Sequence, residues 1–437
     1  MAKKKQDLTP EERLAAALVP EEENMANYGA AEYPIVLSLG NVIETQYGYT
    51  EKSSFDVQGP YYLRITDIQE ESVDWKNVPK CLIDKTNYEK YKLKNNDIVV
   101  ARTGATTGKS YMICGDIDAV FASYLIRVQV TDKRLSPRFL YLFFQSPDYW
   151  SQIAELSIGI AQPGVNARKI RSLKIRIPTI DEQQRIVARI ESLFAKLDAA
   201  REKVQSVLDS HETRKAALLH DAFTGKLTAK WREEHKFSYN EWHLVCIKDI
   251  CHSLKYGTAK KSEASGRYVV IRMGNLFDGE ILWDNLAYSN DNEDIEKYQL
   301  TPGDVLFNRT NSAALVGKTS IYRGDYPAIY AGYIIKLDYD RKTIDGEFLN
   351  YIMNSPCAKT YCNKVKTDGV NQSNINAKKI GAFQFKLPSL PEQQEIVRIL
   401  GRLLAREQRA RQAAEETLAA IDRMKQSILA RAFRGEL

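Results

Sequence analysis

The chain has 437 residues, 44% hydrophobic and 27% charged, which is enough apolar material for two or more domains with cores of their own. Lys and Arg number 62 against 56 Asp and Glu, a net charge of +6 that permits a polyanionic partner without requiring one. No apolar run is long enough to span a membrane, no secretory leader is evident, and the six cysteines form no C-x-x-C pair, so a cytoplasmic protein with reduced thiols and no membrane partner is expected.

Residues 1–31 read as an N-terminal arm: a basic tail over 1–5, a short helix announced by Thr9, Pro10 and Glu12, then an acidic irregular stretch that is either flexible or a docking segment. Residues 32–178 carry strand-like runs at 61–65, 97–101 and 124–130 and a helical run over 138–156, the pattern of an α+β head. Residues 179–230 hold a long helix in which Ile186, Ile190, Leu193, Leu197, Ala200, Val204, Val207, His211, Arg214 and Leu218 recur every three to four positions. Over residues 182–222 it would rise about 60 Å at roughly 1.5 Å per residue, too far for one small domain to cover.

The plan then repeats, with a second head over residues 231–388 and a second long helix over 389–437. Tyr47-Gly48 answers to Tyr256-Gly257, Arg64 to Arg272, Asp97 to Asp304, Gly108-Lys109 to Gly317-Lys318, Ser146-Pro147 to Ser355-Pro356 and Asn166 to Asn376. The helices match without a gap, from Glu182-Gln183-Gln184 on Glu392-Gln393-Gln394 to Gly225 on Gly435, and Thr179 and Ser389 suggest a capping box at each start. Two copies of one stripe are natural partners for each other about a pseudo-twofold axis, which makes the helices antiparallel. An axis near Val204 and Ala414 sets Leu197 against Ile421, Ile190 against Ile428, Leu218 against Leu400, and His211 against Glu407. The expected fold is α+β: two pseudo-twofold-related heads separated by a long antiparallel two-helix coiled coil.

No catalytic constellation emerges. His243, Cys246, Cys251 and His252 fit no standard zinc spacing. The run from Gly104 to Ser110 is one residue short of a phosphate loop, and the matching loop before Gly317 lacks the first glycine. Asp74-Trp-Lys76, Glu234-His-Lys236 and Asp340-Arg-Lys342 have the local form of nuclease carboxylate and lysine pairs, but none recurs in both halves. The chain has no Pro-Pro pair and no G-x-G loop of the kind an amino-methyltransferase would carry.

The two phrases Ile177-Pro-Thr-Ile-Asp-Glu-Gln-Gln-Arg-Ile186 and Leu387-Pro-Ser-Leu-Pro-Glu-Gln-Gln-Glu-Ile396, and the closings Ala222-Phe-Thr-Gly-Lys-Leu227 and Ala432-Phe-Arg-Gly-Glu-Leu437, resemble the specificity subunit of type I restriction-modification enzymes. The resemblance implies a non-catalytic DNA reader. Its two heads would be target-recognition domains for a split, asymmetric duplex site, with two methyltransferase subunits docked on the helices and a restriction motor-nuclease completing the complex. No cofactor belongs to this chain on that reading; S-adenosylmethionine and ATP would sit on the partners. An alternative of another class is a coiled-coil scaffold whose heads bind proteins.

If the heads read different half-sites, residues shared by both cannot carry the difference. Arg64 with Arg272, Arg102-Thr103 with Arg309-Thr310, Lys109 with Lys318 and Lys169 with Lys379 are therefore expected to brace loops or touch phosphate. Base readers are expected where the halves diverge, in loops 49–58 and 258–265 and around 105–107 and 311–314, with Lys52, Ser53, Lys260 and Lys261 as candidates. Arg185, Arg189, Lys196, Glu202 and Lys203 on one helix, and Arg398, Arg402, Arg406, Arg409 and Arg411 on the other, are the expected methyltransferase-docking faces.

Overall fold

Strand Ile98–Ala101 shows how each head is layered. All four of its side chains are buried, and with a period of two Ile98 and Val100 enter one apolar core while Val99 and Ala101 enter another. In the computed structural model, which describes residues 35–69, 72–104, 106–156, 164–370 and 372–437, the same device recurs at Val305–Asn308: Val305 and Phe307 face one core and Leu306 a second. The expected helix within residues 1–31 lies outside the described residues. The chain divides into two compact units, one formed by Met1–Ser206 with Ala413–Leu437 and the other by Val207–Gln412.

In the first unit an antiparallel sheet runs in the order Ile43–Tyr47, Leu125–Val130, Ile98–Ala101, Ser110–Met112. A second sheet pairs Ala119–Phe121 in parallel with Tyr61–Leu63 and continues through Lys80–Cys81 to Ser53–Ser54. A separate ribbon joins Ile35–Ser38 to Lys174–Ile177, with Leu37 opposite Ile175. The second unit repeats this plan. Its main sheet runs Cys251–Tyr256, Ile334–Tyr339, Val305–Asn308, Thr319–Ile321; its smaller sheet pairs Tyr268–Ile271 in parallel with Ala328–Tyr330; and its ribbon joins His243–Cys246 to Gln384–Leu387.

Three local readings need correction. The helical run 138–156 is two helices, Pro137–Phe143 and Pro147–Glu155. Pro147 has no amide to continue the ladder, and Ser146 Oγ donates to the Phe143 carbonyl while accepting from the Tyr149 amide. The strand at 61–65 stops at Leu63, because Asp67 folds back on the Arg64 amide and closes a tight turn. The first long helix is interrupted: α1 (Ile180–Asp209) and α2 (His211–Phe223) meet at Ser210. There the Val207 carbonyl accepts from Ser210 Oγ at 3.3 Å and from the Arg214 guanidinium at 3.1 Å, side-chain donors that compete with the backbone ladder. Its counterpart α3 (Leu390–Arg434) is continuous over 45 residues.

Within each unit the paired helix segments run antiparallel. In the first, Lys425 meets Asp198 at 2.6 Å and Asp422 meets Arg201, so position rises along one helix as it falls along the other. Ile190 shares a core with Ile428 and Leu429, and in the second unit Leu218 shares one with Leu400. His211 and Glu407 face each other as the register predicts, but at 4.0 Å from Nδ1 to the carboxylate they are not hydrogen-bonded. Arg214 takes Glu407 at 2.7 Å, and the buried His211 Nδ1 has no partner.

The capping boxes form only in part. Thr179 Oγ1 accepts from the Glu182 amide at 3.4 Å, but the Glu182 carboxylate pairs with Arg185. The Glu392 carboxylate is buried against Arg232 (2.6 Å), Thr228 (2.7 Å) and the Trp242 indole N–H (2.9 Å). What the shared Glu-Gln-Gln phrase builds instead is a clamp. Gln183, fully buried, accepts from the Ser136 amide at 2.8 Å and donates to the carbonyls of Arg134 and Pro178. Gln393 does the same with the Asp345 amide and the carbonyls of Thr343 and Pro388.

Candidate nucleic-acid interface

At one end of each main sheet, four segments distant in sequence meet around an arginine. In the first unit Arg102 follows strand Ile98–Ala101, and its guanidinium stacks 5.0 Å from the Tyr47 ring centroid and donates to the Ser123 carbonyl at 3.3 Å. The Arg102 carbonyl accepts from the Val165 amide, and Tyr47 Oη accepts from the Ala167 amide at 3.1 Å. The second unit rebuilds this group by group. Arg309 lies 4.7 Å from the Tyr256 ring and donates to the Gly332 carbonyl, its own carbonyl accepts from the Ile375 amide, and Tyr256 Oη accepts from the Ala377 amide at 2.9 Å.

The tyrosines can sit so close only because glycine follows each. A Cβ on Gly48 would lie 2.2 Å from the Ala122 carbonyl oxygen, and one on Gly257 would lie 2.0 Å from that of Tyr330.

The other sequence candidates fall into two groups, and residues beyond those candidates make a third. Some are engaged internally. Arg64 is held by Asp67 at 2.7 Å, a hydrogen bond that pushes its guanidinium further up from its ordinary pKa, and Arg272 reaches the Asn285 carbonyl. Lys169 donates to the Gly164 carbonyl at 2.8 Å, and Lys379 donates to Thr367. Thr310 Oγ1 accepts from Asn374, while Thr103 makes a lone bridge to Gly164. Lys260 sits among Asp291 (2.8 Å), Glu293 and Asp294, and the hydrogen bond to Asp291 raises its pKa, so this candidate reader is already neutralised.

Others are open. Lys52, Lys109 and Lys261 are exposed, and Ser53 lies half-buried in the short strand paired with Lys80–Cys81. Gly108 and Gly317, both at positive φ, turn the chain so that each following lysine immediately precedes the return strand; Lys318 rests over the exposed Phe277 ring at 5.1 Å.

A third group was not singled out from sequence. Tyr47 and Tyr256 are 41% and 39% exposed despite their role in the cluster, and Tyr124 and Tyr333, beside the turns that Arg102 and Arg309 brace, are 58% and 53% exposed. Arg168 and Lys378 are exposed just before Lys169 and Lys379. Their recurrence at matching places in both halves is a signal that the sequence carries.

The profile of the type I restriction modification DNA specificity domain matches residues 36–208 and again 239–416. The chain belongs to the type I restriction-modification specificity family. It is 28% identical over 386 residues to the StySPI specificity subunit of Salmonella potsdam, covering 86% of this chain and 82% of that one. To the EcoKI specificity subunit of Escherichia coli K12 it is 27% identical over 387 residues, with the same coverage. Among solved structures, a chain from the work on complex assembly and conformational transition of the type I R-M system superposes with a TM-score of 0.71 at 18% identity, covering 92% of this chain and 98% of that one. The HsdS subunit from Thermoanaerobacter tengcongensis gives 0.60, also at 18% identity, over 94% and 99%. This type I specificity subunit is a sequence-specific DNA-recognition chain and not an enzyme, and the reading of its heads as protein-binding modules loses its support. Among the described residues no helix is long and apolar enough to cross a membrane.

Proposed function

We propose that the heads, residues 32–178 and 231–388, each read one half of a split, asymmetric site in duplex DNA, while the helical segments 179–230 and 389–437 set the gap. DNA and the other subunits of a type I system are its partners; in finer detail, two methyltransferase subunits dock on the helices and a restriction motor-nuclease joins them. S-adenosylmethionine and ATP belong to those subunits. The observation that carries this reading is the arginine-centred loop cluster, built twice with the same bonds while the loops beside it differ. In one head a short strand holds Ser53; in the other Lys260 is tied to acidic side chains. A shared framework with divergent rims suits two readers of different sequences.

The exposed Lys196, Lys203, Arg402, Arg406 and Arg409 support docking on the helices, whereas Arg185 and Arg398 are already paired with Glu182 and Glu395. Gel shift of the full chain with its methyltransferase, on random duplex at two salt concentrations, tests DNA contact, because counterion release makes affinity fall steeply with salt. Mapping methylated adenines in host DNA then tests the split site. A single contiguous motif would overturn the two-reader assignment.

A further inference from the structure

We propose that Arg102 with Tyr47 and Tyr124, and Arg309 with Tyr256 and Tyr333, are backbone anchors that hold the DNA phosphodiester chain beside each reading loop. This rests on the DNA-reading assignment and names the part of the site that is blind to sequence.

Three observations point to it. First, among the described residues neither guanidinium has a carboxylate within 4.0 Å, unlike Arg64, Arg127 or Arg323 of the same heads. Each spends one N–H on a backbone carbonyl and stacks on a tyrosine ring, which fixes the plane of the fork and leaves its charge unneutralised. In the second unit Arg309 Nε and the neighbouring Asn308 Nδ2 are buried donors without a partner.

Second, two half-exposed tyrosines accompany each arginine: one ring stacks on the guanidinium, and the other tyrosine, Tyr124 or Tyr333, accepts the arginine amide on its carbonyl, while among the described residues its phenol makes no hydrogen bond. Large aromatic surface left open at the same place in two diverged domains has no packing reason to persist. A ring laid against deoxyribose and a phenol donating to phosphate would use both ends of the side chain.

Third, the set is the same in both heads, whereas the half-sites differ. The only feature two different half-sites share is the sugar-phosphate backbone. An arginine fork held flat by an aromatic ring matches two oxygens of one phosphate.

The test uses the full chain combined with its methyltransferase. Tyr124→Ala removes an exposed side chain and should leave the melting temperature unchanged. It should weaken binding to cognate and to random duplex by the same factor, about tenfold, with an unaltered salt slope. Tyr124→Phe should recover part of that loss. Arg102→Gln should weaken both duplexes equally and reduce the salt slope by roughly 0.9, the share of one phosphate.

The methylated sequence should be unchanged in every variant. An altered base preference in one half-site, or unchanged affinity for random duplex, would overturn the anchor. If Arg102→Gln fails to fold, the Tyr124 variants and their Tyr333 counterparts decide alone. Wild-type complex without salt-dependent duplex binding would overturn the DNA reading itself; wild-type binding that the variants leave untouched overturns only the anchor.

Discussion

Gly48 and Gly257 carry more of the site than any charged residue, because the tyrosine before each can reach its arginine only if the chain passes within contact of a neighbouring carbonyl. Gly48→Ala should therefore destabilise the first head by about 3 kcal/mol, an overpacking cost with no flexible neighbour to absorb it. Gly257→Ala should do the same to the second head, and thermal melts that moved by less than a degree would refute the close approach. The repeated Tyr-Gly pair was legible in the sequence, but its purpose was not, since it depends on backbone brought from more than seventy residues away.

The cysteines give a second residue-scale expectation. Burial raises the thiol pKa of Cys81 to about 11, of Cys251 to about 12 and of Cys362 to about 11, whereas Cys114 and Cys357 are exposed. A raised pKa means fewer thiolates at any pH below it, and the thiolate is the reactive form. At pH 8 the native chain should alkylate Cys114 and Cys357 within minutes and Cys81 and Cys362 only after denaturation. Mass spectrometry of tryptic peptides would read this directly.

At the scale of elements, the Glu-Gln-Gln phrase was found by its repetition and misread in its chemistry. A helix-start glutamate suggests capping, but the member buried in both copies is the glutamine after it, which ties the start of a long helix to the loop that precedes the first of the two short helices. Gln183→Ala and Gln393→Ala should each cost about 2–4 kcal/mol, because one amide and two carbonyls lose a buried partner. Gln184→Ala, on an exposed side chain, is the control and should cost less than about 0.5 kcal/mol. Hydrophobic periodicity could not report the clamp, since a buried polar residue reads as surface.

The helix seam shows the same mixture. Its register followed from the pairing of two apolar stripes, and His211 does face Glu407, but Arg214, the next member of the same stripe, takes the carboxylate. A double-mutant cycle should give about 1 kcal/mol of coupling for Arg214 with Glu407, both partly solvated, and under about 0.5 kcal/mol for His211 with Glu407. With its Nδ1 buried and unpaired, His211→Leu should be neutral or stabilising. A loss of more than about 1 kcal/mol would show that the imidazole has a partner in solution.

At the scale of the whole molecule, sequence order and structural unit part company. The heads are consecutive in the chain, yet the first unit takes its last segment from Ala413–Leu437, on the far side of the entire second unit. Antiparallel pairing inferred from the two stripes made that exchange legible in outline. What it could not reveal is how deeply the closing phrase is built into the first head. Phe433 is buried with its ring 5.0 Å from Phe139 and 5.5 Å from Phe143, and Leu429 and Ala432 lie in the same core. Phe433→Ala alone should cost about 3–5 kcal/mol, a large share of the roughly 5–15 kcal/mol that stabilises a typical domain. A chain ending at Gln412 should therefore lose its first head, not its last. Hydrogen exchange would show residues 35–206 unprotected while 239–412, whose unit is complete without the missing segment, keeps its protection. Equal protection of both heads after truncation would mean that Leu429, Ala432 and Phe433 contribute little to the core in which they are buried.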